Sequence, residues 1–247
     1  MLAVPTCETT MRRLGEDLNG YEFDFPERAL QDLRALYRSQ VEPRLAPMFA
    51  DIEQSGQCSF EADGHAFYAV AYGNELAWIS NDNAKTYRMF RSCFGALGLA
   101  EAMKPLIPHD EKLVMYCGFF IVSHAISRPI WHVDYGPNAN GYTLLAPLFP
   151  LEPEHGRLLY RQPGGDPRRY EYEVGKGIVI GDGFLHTTEP YARVETPRVL
   201  LSMTFGSDRV ADWAALEPTV GRQSNFVVLP CGHVRGSCGC LPPAPAR

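Results

Sequence analysis

The chain has 247 residues and a formal net charge of −6; 45% of its residues are hydrophobic and 21% are charged. This composition is ordinary for a globular protein that buries a core of its own. The acidic balance argues against a nucleic-acid partner, because phosphate binding needs a basic surface. No apolar run is long enough to span a bilayer, and the N-terminus lacks the basic segment and apolar core of a secretory signal. We therefore expect a cytoplasmic protein with no nucleic-acid partner and no membrane partner.

The first 110 residues combine helices with a hairpin. Phe25-Pro26-Glu27 reads as a helix entry, and apolar residues then recur at helical spacing over residues 29–37. Asp63-Gly64 separates two strand-like runs, which predicts a two-residue hairpin turn. Asn81-Asp82-Asn83 can cap a helix whose apolar face spans residues 87–97. We treat residues 1–110 as an N-terminal helical and hairpin part.

Residues 111–206 contain short strands separated by Gly, Pro and Asp clusters, which is typical of a jelly-roll sandwich or barrel. The predicted strands are 113–122, 142–149, 157–160, 170–174, 177–180 and 199–205. We assign these strands and the N-terminal part to one domain, residues 1–220. The expected fold is mainly β, with flanking α-helices and a β core over residues 111–206.

The last part, 221–247, forms a predicted C-terminal tail that loses periodicity, and its Pro- and Ala-rich end should be mobile. Four zinc-type ligands lie in this tail, at tighter spacing than in common zinc fingers: Cys231, His233, Cys238 and Cys240. Two interpretations stay open, a small zinc knot and a flexible thiol-bearing tail. The other cysteines are scattered, which fits free thiols in a reducing compartment; they are Cys7, Cys58, Cys93 and Cys117.

A His-x-Asp motif carries the strongest chemical signal. His132 and Asp134 are two residues apart, and in a strand such residues point to the same face. His186 follows a glycine-bounded strand and turn, 176–185, and can supply a third ligand. Two imidazoles and one carboxylate make up the facial triad of non-haem Fe(II) oxygenases, which keeps positions on the metal open. The alternative is a pair of hydrogen-bonded interior histidines in a domain without a metal.

Arg198 lies twelve residues after His186, at the start of the next predicted strand. Its planar guanidinium can bind a carboxylate through two parallel hydrogen bonds and stays charged at any physiological pH. The alternative for Arg198 is an ordinary salt bridge. An arginine at this offset from the third ligand adds a carboxylate site to the metal site.

Through His132, Asp134, His186 and Arg198, the sequence resembles the Fe(II)- and 2-oxoglutarate-dependent oxygenases over roughly residues 113–206. The resemblance implies a double-stranded β-helix, which is a cupin-like jelly roll, and makes residues 1–220 an oxygenase domain. It implies Fe(II) bound by the triad, Arg198 binding the far carboxylate of 2-oxoglutarate, and O₂ as a cosubstrate. One departure is Leu200, where members with an Arg-x-Ser motif have serine. The candidate hydroxyls beside Arg198 are therefore Ser202, Thr143 and Tyr116.

The activity that the resemblance implies is that of a dioxygenase. Such an enzyme hydroxylates, desaturates or cyclises at an unactivated C–H bond and releases succinate and CO₂. The carboxylate of Asp134 favours these outcomes over halogenation. We expect a small-molecule substrate. The alternatives are a hydroxylase of protein or peptide side chains in the same superfamily and a cupin-like metal-binding domain without oxygenase activity. The oligomeric state stays open.

Residues that flank the metal pair are candidates for substrate contact, because loops beside rigid strands carry recognition. They are Arg128, Trp131, Tyr135, Asn138 and Asn140. The alternative is a solvated loop in which asparagine and glycine simply form turns.

Overall fold

Antiparallel strands organise most of the molecule. The computed structural model describes residues 10–72, 76–162 and 164–240. The strands of this part are, in chain order, β1 Met11–Arg13, β2 Gly20–Asp24, β3 Gln57–Ala62, β4 His65–Tyr72, β5 Leu76–Asn81, β6 Val114–Ser123, β7 Gly141–Pro147, β8 Leu158–Tyr160, β9 Arg168–Tyr170, β10 Lys176–Ile180, β11 His186–Thr188 and β12 Arg198–Gly206.

The α-helices lie mainly in the N-terminal half. They are α1 Gln31–Leu36, α2 Leu45–Ser55, α3 Ala84–Ala96, α4 Leu99–Met103 and α5 Trp213–Gln223. Short 3₁₀ turns at Glu27–Leu30, Glu42–Arg44 and Val210–Asp212, and a π-helical turn at Tyr37–Val41, join or extend them. The longest helix of the described residues, α3, has 13 residues, and none has the length and hydropathy needed to cross a bilayer.

Two sheets face each other across the molecule. The large sheet has nine strands in the order β1-β2-β10-β7-β12-β6-β5-β4-β3, and the small sheet has three in the order β11-β8-β9. Neighbouring strands are antiparallel throughout the described pairs. One apolar cluster joins the sheets, with Leu158 and Tyr160 from β8 against Leu145 and Ile178 from β7 and β10. This arrangement confirms the predicted double-stranded β-helix with flanking helices.

Side chains of β12 point alternately to the two faces of the large sheet, and the two faces have different surroundings. Leu201 and Met203 belong to the apolar core on the helix side. Arg198, Leu200 and Ser202 line a cavity on the other face, between the sheets. The period of two residues explains the split, because successive side chains in a strand point to opposite faces. Helix packing therefore leaves every second residue of β12 free to form a site.

The N-terminal elements follow their sequence signals closely. The Asp63-Gly64 turn joins β3 to β4 as predicted, with Ala62 paired to His65. Asn83 caps α3, since its side chain accepts a hydrogen bond from the backbone N–H of Thr86 at 2.9 Å. The predicted helix after Pro26 is present but broken: a 3₁₀ turn precedes α1, and a π-helical turn follows it.

Two expectations about strands differ from the structure. The strand predicted over 170–174 ends at Tyr170, because β9 pairs only with β8, whose last partner in this direction is Leu158. A shared face for His132 and Asp134 was expected from strand geometry, but His132 forms only an isolated bridge to His186. The chain turns away after this bridge, so Asp134 lies beyond the strand pairing.

Residues 221–240 pack on the domain. The predicted boundary at residue 220 falls within α5, which continues to Gln223. Val227, Val228 and Leu229 are buried, and the backbone N–H of Val228 donates to the carbonyl of Tyr116 at 2.9 Å. The expectations for Cys7 and for a mobile segment 241–247 lie outside the described residues. Cys58, Cys93 and Cys117 are free thiols, as predicted.

Candidate active site

His132 and His186 lie side by side because their backbones pair directly. Each residue donates its N–H to the carbonyl of the other, and both N···O distances are 3.0 Å. The two imidazole rings follow, with centroids 4.3 Å apart. Ile130, just before the bridge, donates its N–H to the hydroxyl of Thr187 at 2.8 Å and so anchors the same segment. A short stretch of local pairing thus brings together two residues that are 54 positions apart in sequence.

Asp134 completes a compact group of three possible metal ligands. Its Oδ1 lies 3.5 Å from Nε2 of His132 and 3.9 Å from Nε2 of His186. One ligand atom from each of the three residues lies within 4.8 Å of the others. The hydroxyl of Thr219 on α5 donates to the backbone carbonyl of Asp134, which fixes the chain after the turn. The group predicted from the His-x-Asp motif and His186 is therefore assembled in space.

The histidine hydrogen bonds present Nε2 to the centre of this group. Nδ1 of His132 lies 2.9 Å from the carbonyl of Ile130, and Nδ1 of His186 lies 3.0 Å from the carbonyl of Phe184. A carbonyl only accepts, so each Nδ1 carries the proton and each Nε2 keeps a lone pair for a metal. Such backbone acceptors are typical partners of metal-ligating histidines.

Burial favours the neutral form of His186. The pKa of His186 is lowered by its burial, and the nearby imidazole of His132 acts in the same direction, while the charge of Asp134 opposes them. A neutral imidazole is the form that binds a metal ion. His132 and Asp134 are more accessible, with 29% and 15% of their side chains exposed. The group is thus reachable from one side and closed on the other.

A cavity of about 550 Å³, including its opening to solvent, extends from the three ligands between the sheets. Three protein ligands leave part of an octahedral coordination sphere open. The cavity adjoins the open side, so molecules that enter it can reach a metal held by the triad.

Arg198 lies in the wall of the same cavity with its charge unsatisfied. The residue is 1% exposed, and its Nε has no hydrogen-bond partner. No ion pair joins it to an acidic side chain in the described part of the chain. Its guanidinium lies 5.5 Å from the ring centroid of Tyr172, which gives it an aromatic face but no counter-charge. Because a lone buried charge is costly, this position fits an anionic ligand.

Two of the three candidate hydroxyls lie with Arg198 in the cavity. Ser202 is on the same face of β12, and its Oγ has no partner. Thr143 lines the cavity from β7 and donates to the hydroxyl of Tyr135 at 3.3 Å. Tyr116 does not reach the site, since its hydroxyl donates to the carbonyl of Ser207 at 2.6 Å. The candidate set is thereby reduced to Ser202 and Thr143.

The loop residues that flank the metal pair lie outside the cavity lining. Arg128 is exposed, and Trp131 lies beneath the guanidinium of Arg161, 4.7 Å from ring centroid to Cζ. Tyr135 is buried, with its hydroxyl on the carbonyl of Tyr142 at 3.4 Å. The contacts of Trp131 and Tyr135 are made within the fold. Substrate contact by Arg128, Trp131 and Tyr135 stays a prediction.

Asn138 and Asn140 form the turn that follows. Both have positive φ, 62° and 54°, which asparagine tolerates better than most residues. The N–H of Asn138 donates to Asp182 at 2.9 Å, and the amide of Asn140 donates to Asp212 at 3.1 Å. This geometry matches the alternative in which the asparagines form turns. Asp182 stabilises this turn by accepting the hydrogen bond from Asn138.

Sequence reasoning missed the aromatic wall of the cavity. Tyr72 stacks on Trp78, with ring centroids 4.6 Å apart and planes 17° apart, and lies 5.7 Å from the ring of His132. Phe119 continues the wall, 5.7 Å from Trp78. The alternation of Phe119 and Ile121 in β6 was a usable signal for one face, but only the pairing of β4, β5 and β6 shows which face adjoins the metal group. Tyr172 and Gln223 were missed as well.

Comparisons with known proteins identify the fold. No protein-family model matches the sequence, and no curated protein matches it. Among solved structures, HygX from Streptomyces hygroscopicus with nickel and 2-oxoglutarate bound matches with a TM-score of 0.51 and 10% identity, over 78% of this chain and 84% of that chain. The alpha-ketoglutarate-dependent carbocyclase SnoK from nogalamycin biosynthesis matches with a TM-score of 0.50 and 11% identity, over 78% and 81%. AviO1 from Streptomyces viridochromogenes Tue57 matches with a TM-score of 0.50 and 16% identity, over 77% and 90%.

The chain therefore shares its fold with HygX and SnoK, which agrees with the double-stranded β-helix that the resemblance implied. Because the identities are low, the likeness extends to the fold alone, and the function depends on the residues of this chain's own site.

Proposed function

We propose that this chain is an Fe(II)- and 2-oxoglutarate-dependent oxygenase that acts on a small molecule. One observation carries the proposal: a group of two histidines and one aspartate shares a cavity with a buried arginine that has no counter-charge. The group of two histidines and one aspartate, or the buried arginine, could each be explained by a structural role if it occurred alone. Their combination is what a metal-bound 2-oxo acid with a second carboxylate requires.

The three ligands suit Fe(II). Two neutral imidazoles and one carboxylate on one side of the metal are the donor set of non-haem Fe(II) oxygenases, and they leave positions for a chelating cosubstrate and O₂. Bound iron, with 2-oxoglutarate and O₂, supplies the oxidation of an unactivated C–H bond with release of succinate and CO₂. Because each Nδ1–H donates to a backbone carbonyl, the Nε2 atoms of both histidines would be available to hold the metal.

Arg198 serves as the anchor for the cosubstrate in this proposal. Its unpartnered Nε and the unpartnered Oγ of Ser202 are donors that lack an acceptor in the same wall of the cavity. A carboxylate bound there satisfies both and neutralises the buried charge. Thr143 offers a further hydroxyl across the cavity. Arg198 would thereby hold one end of the cosubstrate in the cavity that the three metal ligands also line.

The aromatic wall is the proposed substrate face. Tyr72 and Trp78 present rings next to His132, the most exposed of the three ligands. Aromatic side chains line small-molecule sites because they offer much apolar area with few rotatable bonds. SnoK, which shares the fold, is described as a carbocyclase of a biosynthetic pathway. Hydroxylation, desaturation and ring closure are the reaction types we propose for this chain.

Two alternatives are less well supported. A cupin-like domain without oxygenase activity has no use for a buried, uncompensated Arg198. A hydroxylase of protein side chains shares the metal and cosubstrate sites, so it differs from our proposal only in substrate size. Only 7% of the His186 side chain and 15% of the Asp134 side chain are exposed, and an enclosed group of this kind favours a small molecule.

The test begins with anaerobic protein, Fe(II) and 2-oxoglutarate. We expect a weak visible charge-transfer band in the wild type and none in Asp134→Ala. Addition of O₂ and candidate small molecules should then give substrate-dependent succinate. Arg193 is exposed and outside the cavity, so Arg193→Ala is a control that should behave as the wild type. Absence of the band in wild-type protein would contradict this proposal. A KM for 2-oxoglutarate in Arg198→Ala equal to that of the wild type would contradict it as well.

A further inference from the structure

A second group of metal-ligating side chains lies far along the chain from the first. Cys231, His233, Cys238 and Cys240 each offer a ligand atom, and these atoms all lie within 4.8 Å of one another. The three cysteines are free thiols. Cys231, Val234 and Cys238 pack against the apolar core, and most of the other residues of this segment are exposed. None of these side chains takes part in the proposed oxygenase chemistry.

The distances within this group suit a tetrahedral ion. The Sγ atoms of Cys231 and Cys238 are 3.8 Å apart, and Sγ of Cys240 is 3.8 Å from Nδ1 of His233. In a tetrahedral site with Zn–S bonds of about 2.3 Å, two sulfur ligands lie about 3.8 Å apart. Modest side-chain rotation is therefore enough to bring all four ligands onto one ion.

A short hairpin holds the four ligands in position. Val228 and Val234 form a bridge, and the N–H of Leu229 donates to the carbonyl of His233 at 2.8 Å. Gly232 and Gly236 have φ of 83° and 82°, a conformation that other residues adopt only at a cost. Gly232 turns the chain between Cys231 and His233, and Gly236 turns it between His233 and Cys238. The spacing that looked too tight for a common zinc finger is thus made by glycine turns.

We propose that Cys231, His233, Cys238 and Cys240 bind one Zn²⁺ as a structural site. Three thiolates and one imidazole saturate a tetrahedral ion, so no position is left for water or substrate. This distinguishes the site from the triad, whose three ligands leave iron accessible. Binding releases the thiol protons to solvent, so zinc affinity should fall in acid.

The zinc site would fasten the segment 224–240, here called the C-terminal arm, to the domain. Arg235 donates to the carbonyls of Gly221 and Ser224, both at 3.2 Å. Asn81 of β5 donates to the carbonyl of Phe226 at 2.7 Å. Gln223, the residue just before the arm, lines the oxygenase cavity. A metal that fixes the arm therefore also limits motion at the helical end of that cavity.

The experiment measures metal in the full chain, purified without chelator. We expect one zinc per chain by elemental analysis, in addition to the iron site. Replacement by Co²⁺ should give the intense thiolate-to-cobalt absorption of a tetrahedral sulfur-rich site. A strong zinc chelator should lower Tm by about 5–10 °C, since the binding energy of a structural ion is folding energy.

Variants distinguish the ligands from other thiols. Cys238→Ser and Cys240→Ser should lose zinc and the cobalt absorption, whereas Cys58→Ser, which changes a thiol outside the group, should keep both. If the ligand variants fail to fold, the cobalt spectrum of the wild type still decides whether thiolates of this chain bind a tetrahedral metal ion. A wild-type chain without zinc and without a cobalt–thiolate band, or one with Cys231 and Cys238 oxidised to a disulfide after reducing purification, would overturn the proposal. Loss of oxygenase activity alone would not, because the zinc test does not depend on iron.

Discussion

His132 and His186 exchange both of their backbone hydrogen bonds across a single bridge, at 3.0 Å each. A flexible pair of side chains could be brought together in many ways, but this bridge fixes the backbones themselves. The relative position of two metal ligands then depends on main-chain geometry, which is preorganised before a metal arrives. Removal of the neighbouring Ile130–Thr187 hydrogen bond therefore tests whether this preorganisation contributes to metal binding.

Thr187→Val removes the hydroxyl that accepts the N–H of Ile130. This hydroxyl also donates to the carbonyl of Thr188 at 3.3 Å. We expect the free energy of unfolding to fall by about 1–2 kcal/mol, because both hydrogen bonds are lost at a buried position. Fe(II) affinity should fall by about tenfold, since supporting contacts orient the ligands. Urea denaturation and anaerobic iron titration measure the two effects. Thr196→Val, at an exposed position, should leave both unchanged; an equal loss there would argue against a role for the bridge.

Arg198→Met keeps the size of the side chain and removes its charge. The KM for 2-oxoglutarate should rise by about 30-fold, which corresponds to the loss of about 2 kcal/mol from a charge-assisted pair. The apo protein should be as stable as the wild type or more stable, because an uncompensated buried charge is removed. Steady-state kinetics and thermal unfolding, with and without 2-oxoglutarate, measure both. A large loss of apo stability would instead indicate that Arg198 holds the fold.

Trp78→Ala removes the centre of the aromatic wall. Once a substrate is found, its KM should rise by about tenfold, the equivalent of one lost aromatic contact. The KM for 2-oxoglutarate should stay within about twofold, because Arg198 lies on another strand. Trp78→Phe should restore most of the affinity. A change confined to the 2-oxoglutarate KM would contradict the assignment of this wall to the substrate.

Asp208 should give stability a dependence on pH. Its carboxylate accepts backbone N–H groups from Asp110, Glu111 and Lys112 at 2.7, 2.8 and 2.9 Å. Partial burial acts to raise the pKa of Asp208, but these hydrogen bonds outweigh it, and the pKa lies below its usual range. The carboxylate therefore stabilises the fold above the pKa of the unfolded chain, and the contribution is lost as pH falls through the folded pKa.

Asp208→Asn is the matched variant for this effect. At pH 7 it should lower the free energy of unfolding by about 1–2 kcal/mol, since charged acceptors make the stronger hydrogen bonds. The difference from the wild type should shrink in acid, below about pH 4. Urea denaturation across this range measures it, with the exposed Asp166→Asn as control. A difference that does not depend on pH would show that ionisation of Asp208 is unimportant.

The metal group and the fold were accessible from sequence because their signals are local. His132 and Asp134 are neighbours, His186 follows a glycine-bounded strand, and Arg198 begins the next one. The sequence did not reveal that the hydroxyl of Tyr116 lies away from the site. A register shift in β12 between Thr204 and Phe205 leaves Tyr116 without a partner across β6 and β12. Such a bulge changes the direction of side chains, and simple alternation cannot foresee it.

The aromatic wall was hidden for a different reason. Tyr72 and Trp78 belong to the N-terminal hairpin region, which carried no recognisable motif. They reach the metal group because Trp78 in β5 pairs with Ile121 in β6, and Tyr72 in β4 pairs with Leu76. The pairing partner of a strand is a tertiary property that the hydrophobic pattern of the strand leaves undetermined.

The pairing of β2 with β10 has a consequence for how the protein folds. Glu22 lies opposite Ile178, so this part of the large sheet joins residues 156 positions apart. Closing so long a loop must precede the gain from pairing, and folds rich in such distant contacts form slowly. During synthesis, β2 must wait until β10 has left the ribosome. Its exposed strand edges are an aggregation hazard in that interval. Expression at reduced temperature or with chaperones should therefore raise the yield of folded protein.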